Sequence, residues 1–238
     1  MKNKRGTHVG VILSFLIFVT FLAFLYSITE PATRVSRDKL DLLEYLKVEL
    51  VNKFSEEIST ITITLKDTSG SCKRFENFNG LANLGAVVKD NEGGVVTSYI
   101  ESNGVAIVSS IPTDIMKFYY STQLDKGEDV FGECLELVEE EDYNISIFRT
   151  TEEIFAKKII NISESIRNTP GYYGDLKEEL GVAFDDEFGF TFFNGDKEVL
   201  EGTEEKNVSV DVYAEEIPIQ YMDNKANINP GFLTIRVW

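Results

Sequence analysis

The sequence predicts an α+β fold, with helices packed on a mostly antiparallel sheet and one apolar helix at the N-terminal end. Three observations predict it. No residue from Val9 to Ile28 is charged. Leu43, Leu46, Leu50 and Phe54 then recur at spacings of three and four, the period of an amphipathic helix. From Ile58 the period falls to two, and strand-like runs dominate the rest of the chain.

The first element reads VGVILSFLIFVTFLAFLYSI. About twenty helical residues span ~30 Å, the thickness of a bilayer's hydrocarbon core. A signal-peptide apolar region is shorter and ends in a small-x-small cleavage site, whereas this run exits as Ser27-Ile28-Thr29-Glu30-Pro31. The reading is an uncleaved transmembrane helix over 9–28, preceded by a basic segment over 1–8. Lys2, Lys4 and Arg5 precede it, and Arg34, Arg37 and Lys39 follow at a greater distance. That asymmetry places the N-terminus in the cytoplasm and everything after Ile28 outside it.

Pro31 is expected to interrupt or kink the helix. Residues 29–57 then form an amphipathic helical stalk, and 58–238 an acidic extracytoplasmic domain. In ISTITITL, Ile61, Ile63 and Leu65 fall on one strand face and Thr60, Thr62 and Thr64 on the other. Gly93-Gly94 marks one hairpin, and Asn103-Gly104, between strand runs Val96–Ile100 and Val105–Val108, marks another. Met116 to Tyr120 reads as a strand, and Cys134–Val138 with Asn144–Arg149 as a strand pair. Thr150 to Glu153 fits a capping box opening a helix striped by Phe155, Ile159, Ile162 and Ile166. A short helix over Asp175–Leu180 ends at Gly181, placed as a left-handed cap. A hairpin through Asn194-Gly195 and strands near Val208–Tyr213, Ile217–Tyr221 and Leu233–Val237 complete the reading.

The chain has 23 basic and 40 acidic residues, a net charge of −17. Setting aside Lys2, Lys4 and Arg5 leaves 20 basic against 40 acidic, or −20, for the remainder. A surface that negative repels nucleic-acid phosphate, so no nucleic-acid partner is expected. The single histidine, His8, precedes the apolar run, which excludes histidine-based nucleophile systems and histidine zinc sites from the outer domain. No cofactor is implied, because no glycine-rich phosphate loop opens a helix after a strand.

The candidate sites are few. Cys72 and Cys134 either bridge or remain as two buried thiols; a bridge would contribute about 4 kcal/mol in the chain-entropy model. Asn144, Asn161 and Asn207 head N-x-S sequons, candidates for glycosylation. Asp67-Thr68-Ser69-Gly70 has the look of an aspartic-protease loop but lacks a second copy, so a polar turn is expected. Oxygen-rich turns at Asp223, Asn227 and Asn229 and at Asp185-Asp186-Glu187 offer calcium-type ligands without the full calcium-loop spacing. Tyr119, Tyr120, Tyr172, Tyr173, Phe188, Phe190, Phe192 and Phe193 either fill a core or line a carbohydrate-binding face.

Taken together, Lys2-Asn3-Lys4-Arg5-Gly6, the apolar helix that follows, Pro31 near its exit and the amphipathic extension to Glu57 resemble a type IV pilin or pseudopilin of the archaeal kind. The resemblance covers about the first quarter of the chain. It implies cleavage after Gly6, leaving Thr7 as the new N-terminus, and self-association through the helix. Where many pilins carry a glutamate five residues into the mature chain, this sequence has Val11.

The functional expectation is a non-enzymatic, membrane-anchored surface protein, held by Val9–Ile28, with an acidic interaction domain and pilin-like features. The competing expectation is a tethered carboxylate hydrolase or carbohydrate-binding domain. That reading requires a pocket with two acids of raised pKa.

Overall fold

A computed structural model describes residues 7–70, 72–75, 78, 81, 84–101, 106–109, 113–125, 134–203 and 211–238. Its first element, α1, runs from Thr7 to Phe54 as one helix of 48 residues. Pro31 does not interrupt it. At ~1.5 Å per residue such a rod is about 70 Å long. Val9 to Ser27 forms its apolar stretch, with mean hydropathy 2.6 and none of it buried. The C-terminal part behaves oppositely. Leu43, Leu46, Leu50 and Phe54 are 0–3% exposed and pack within the domain. The helix is therefore less a stalk than a core element, and it ends at Phe54 rather than Glu57.

Strand β1, Ser55–Leu65, follows Phe54 with no intervening loop. It sits inside a nine-stranded sheet of order β11-β10-β13-β12-β9-β1-β7-β3-β4. The other members are β3 (Gly85–Asp90), β4 (Val95–Val96), β7 (Ile115–Ser121), β9 (Tyr143–Phe155), β10 (Phe188–Asn194), β11 (Val199–Gly202), β12 (Tyr213–Met222) and β13 (Ile228–Val237). A four-stranded sheet, β5-β6-β2-β8, comprises β2 (Cys72–Phe75), β5 (Ser98–Ile100), β6 (Ala106–Ser109) and β8 (Leu135–Leu137). Most neighbours pair antiparallel, as the α+β reading expects; β2 with β8 and β12 with β9 are parallel.

The large sheet is nearly two sheets. β12 meets β9 through two residue pairs only, Tyr221 with Ile154 and Met222 with Phe155. On one side of this joint lies a strand lobe. There Ile61, Ile63 and Leu65 of β1 and Met116, Phe118 and Tyr120 of β7 face Phe75, Ile100, Ala106 and Val108 of the small sheet. Phe118 and Tyr143 meet Phe75 edge-on at 5.1 and 5.4 Å, the geometry that ring quadrupoles favour. On the other side lies a helical lobe, where β12 and β13 carry α1, and α2 (Ala156–Asn168) and α3 (Tyr172–Glu179) join β10 in the same core. A third cluster spans the joint: Ile58, Val87, Leu124, Phe155, Met222 and Ala226. Ile58 is out of phase with Ile61, so β1 buries opposite faces in the strand lobe and at the joint.

Three expectations are corrected. The capping box at Thr150 does not open a helix. Strand β9 continues to Phe155, because Ser55 to Ile58 of β1 supply backbone partners for Thr151 to Ile154. Phe155 precedes α2 without any side-chain cap. The strands after Cys134 and Asn144 do not form a hairpin ladder: β8 joins β2 in the small sheet and β9 joins β1. The run expected from Val96 to Ile100 divides at Thr97 between the two sheets. By contrast, Gly181 takes φ +65°, and the amides of Gly181 and Val182 donate to the carbonyls of Glu178 and Lys177, closing α3 with a left-handed cap as expected.

Leu46→Ala is expected to destabilise the domain by about 3 kcal/mol, the usual cost of truncating a fully buried leucine. Leu16→Ala, in the exposed apolar stretch, should leave the domain unfolding transition in place. Urea titration in detergent, followed by the fluorescence of Trp238, checks both.

Candidate functional site

Cys72 opens β2 and Cys134 immediately precedes β8, its parallel neighbour. They form a disulfide with Cα atoms 4.7 Å apart, closing a span of 62 residues. Gly6 and Asn207 lie outside the described residues, and Thr7 is the first residue of α1. Asn144 is exposed on β9, and Asn161 is exposed on α2 two residues before the buried Ser163.

The aspartate turns are satisfied by protein groups. Asp67 accepts from the Ser69 amide at 2.9 Å and from its hydroxyl, and these bonds hold its carboxyl below the usual range. Lys73, itself buried, donates to the Asp67 carbonyl. The segment is a closed polar turn. At Asp186 the counter-charge is Lys39 of α1, 2.6 Å away, which also donates to the Trp238 carbonyl at 2.8 Å. Glu187 faces Lys177 at 3.4 Å. These contacts fasten the helix to the C-terminal strand.

Asp223, Asn227 and Asn229 do converge: the first two lie in the turn between β12 and β13, and Asn229 is the second residue of β13. Asp223 Oδ1 accepts from the amides of Lys225 and Asn227 at 2.9 and 2.8 Å, and Oδ2 from Asn227 Nδ2 at 2.9 Å and Asn229 Nδ2 at 3.4 Å. Burial pushes this carboxyl up, but the hydrogen bonds outweigh it and leave it below its ordinary value. The cation beside the turn is Lys89 of β3. Its ammonium donates to the Ala226 carbonyl at 2.7 Å and to Asn227 Oδ1 at 2.8 Å, and lies 5.4 Å from the Tyr119 ring centre. Lys89 is only 6% exposed. Burial lowers its pKa, and Lys117 adds to the fall, while the Asp223 charge opposes both. Nothing in the sequence around Lys89 marks it, because its partner lies 138 residues away. Among the described residues, no group of three or more His, Cys, Asp or Glu side chains is arranged to hold a metal ion.

The aromatic residues do not share a surface. Tyr120 belongs to the strand-lobe core, where burial raises its hydroxyl pKa, with Tyr143 adding to the rise. Phe188, Phe190 and Phe192 fill the helical lobe, with Tyr172 and Tyr173 packed against them. Tyr173 exchanges hydrogen bonds with the backbone of Phe188 at 2.9 and 3.0 Å. Comparison with protein-family models, with curated proteins and with solved structures finds no match to this chain.

Because the folded pKa of Asp223 lies below that of the unfolded chain, its contribution to stability is full above the ordinary carboxylate pKa. That contribution is lost as the pH falls through the depressed value. The wild-type urea midpoint should therefore drop on acidification below about pH 4. The acid limb of Asp223→Asn should be shallower; equal slopes in the two proteins would remove Asp223 from this role.

Proposed function

We propose that the protein is a membrane-anchored, non-enzymatic surface protein whose acidic domain meets its partners on the extracytoplasmic side. One observation carries the reading: α1 is a single helix, wholly exposed and apolar over Val9–Ser27 and core-forming over Leu43–Phe54. A bare surface of that length and hydropathy requires an apolar environment, either lipid or other helices. The disulfide supports an oxidising compartment for the domain, and hence a cytoplasmic N-terminus.

The continuity of α1 favours a second reading, a pilin-like subunit. A helix that is domain core at one end and bare at the other can bundle with copies of itself while the domains face outward. The strand-rich domain, with α1 laid on β12 and β13, fits that arrangement.

N-terminal sequencing and intact mass of protein purified from its native membrane test both readings. Both require the apolar stretch to remain on the mature chain. A start at Thr7 supports the pilin-like reading, and a start at Met1 supports the plain anchor. A start near Glu30 would overturn both. Protease added outside sealed cells should remove the domain and spare the apolar segment.

A further inference from the structure

The Lys89–Asn227–Asp223 constellation is more than a turn with a counter-ion. An amine, a primary amide and a carboxylate stand in hydrogen-bonded series, with Lys89 Nζ 2.8 Å from Asn227 Oδ1 and Asn227 Nδ2 2.9 Å from Asp223 Oδ2. The amine comes from β3 of the strand lobe, and the other two groups from the β12–β13 turn of the helical lobe. Lys89 is almost completely buried, two residues along β3 from Val87 of the apolar joint. Its ammonium lies on the carbonyl of Ala226 from the same cluster and 5.4 Å from the centre of the Tyr119 ring that packs against that cluster. We propose that Lys89 and Asn227 are the site of a self-catalysed isopeptide bond that joins the two lobes covalently, with Asp223 as the proton shuttle.

The step balances without an oxidant or a second substrate. The Lys89 ammonium gives a proton to Asn227 Oδ1, to which it already donates, and the free amine adds to Asn227 Cγ, forming the new C–N bond. Asp223, held on Nδ2, takes a proton from the attacking nitrogen now bonded to the same carbon and passes it to Nδ2. The Cγ–Nδ2 bond then breaks, its electron pair staying on nitrogen. The Oδ1 hydroxyl gives up its proton as the carbonyl re-forms, and ammonia leaves with that proton as ammonium. One alkylammonium and one primary amide become one secondary amide and one ammonium ion.

Three features favour the reaction at this place. Burial favours the neutral, nucleophilic amine over the ammonium. Asp223 is ionised and so able to accept the proton, and it already holds the nitrogen that must leave. The fold maintains the encounter: Lys89 also donates to the Ala226 carbonyl, and Asp223 fixes the turn through two backbone amides. Such held geometry replaces a rare bimolecular collision with an intramolecular one.

The test is a peptide map of the full chain, folded in detergent, then reduced, denatured and digested with trypsin. The expected product is one branched peptide containing Lys89 and Asn227, uncut after Lys89 and lighter than its two linear parts by one ammonia. Separate linear peptides at their sequence masses would overturn the proposal, as would a linear peptide in which Asn227 has become aspartate. Asp223→Ala should lose the branch while keeping the native circular dichroism, and a fully branched Asp223→Ala protein would remove the shuttle role. If that variant does not fold, the wild-type map still decides whether the bond exists, and Asp223→Asn tests the shuttle.

Discussion

Four side chains on one face of α1, Leu43, Leu46, Leu50 and Phe54, make the apolar helix and the domain one object. They sit against Phe188, Phe190 and Phe192 of β10 and Leu233, Ile235 and Val237 of β13 in a single core. Each contributes about 2 kcal/mol by leaving water, and the Phe54 and Phe190 rings meet edge-on at 5.1 Å. Lysines on the same helix close the perimeter: Lys39 on Asp186 and the last backbone carbonyl, Lys47 on Glu44 and Glu215, and Lys53 on Glu179. Those charge pairs are partly exposed and modest in strength. The apolar stripe does most of the holding, and without it the helical lobe would lose its inner wall.

The remainder of the architecture follows from two places where helix and strand join with no loop between them. Phe54 leads into β1 and Phe155 leads into α2, and β1 and β9 are each other's longest ladder. Both phenylalanines are buried, Phe54 in the helical lobe and Phe155 at the joint. The lobes thus share two strands but little sheet. The apolar joint cluster, together with the Lys89 contacts to the β12–β13 turn, compensates for the brevity of the β9–β12 ladder.

Where local pattern and tertiary structure agree, the sequence was legible. The stripe on α1, the alternation in β1, the Asn194-Gly195 hairpin and the Gly181 cap are all properties of a few neighbouring residues. Thr150 shows the opposite case. Its spacing to Glu153 satisfies a helix start, but Ser59 on β1 meets its hydroxyl at 3.0 Å and the ladder continues past it. A capping box contributes about 1 kcal/mol, less than a run of backbone pairs on a central strand. The candidate site was half legible. Asp223, Asn227 and Asn229 stood out as clustered oxygen donors, and they do gather at one turn. Their cation could not be foreseen, because it arrives from a strand near the middle of the chain.

The fusion of α1 to β1 also sets how the molecule bears load. Tension on the domain, resisted by the helix, enters β1 lengthwise at Ser55. β1 is held on both sides, by β7 from Ser59 to Thr64 and by β9 from Ser55 to Leu65. Antiparallel ladder bonds lie across the strand axis, so a lengthwise pull strains them together in shear rather than peeling them apart in turn. The connection between helix and sheet is therefore built to yield all at once, at high force, and not to unravel from one end.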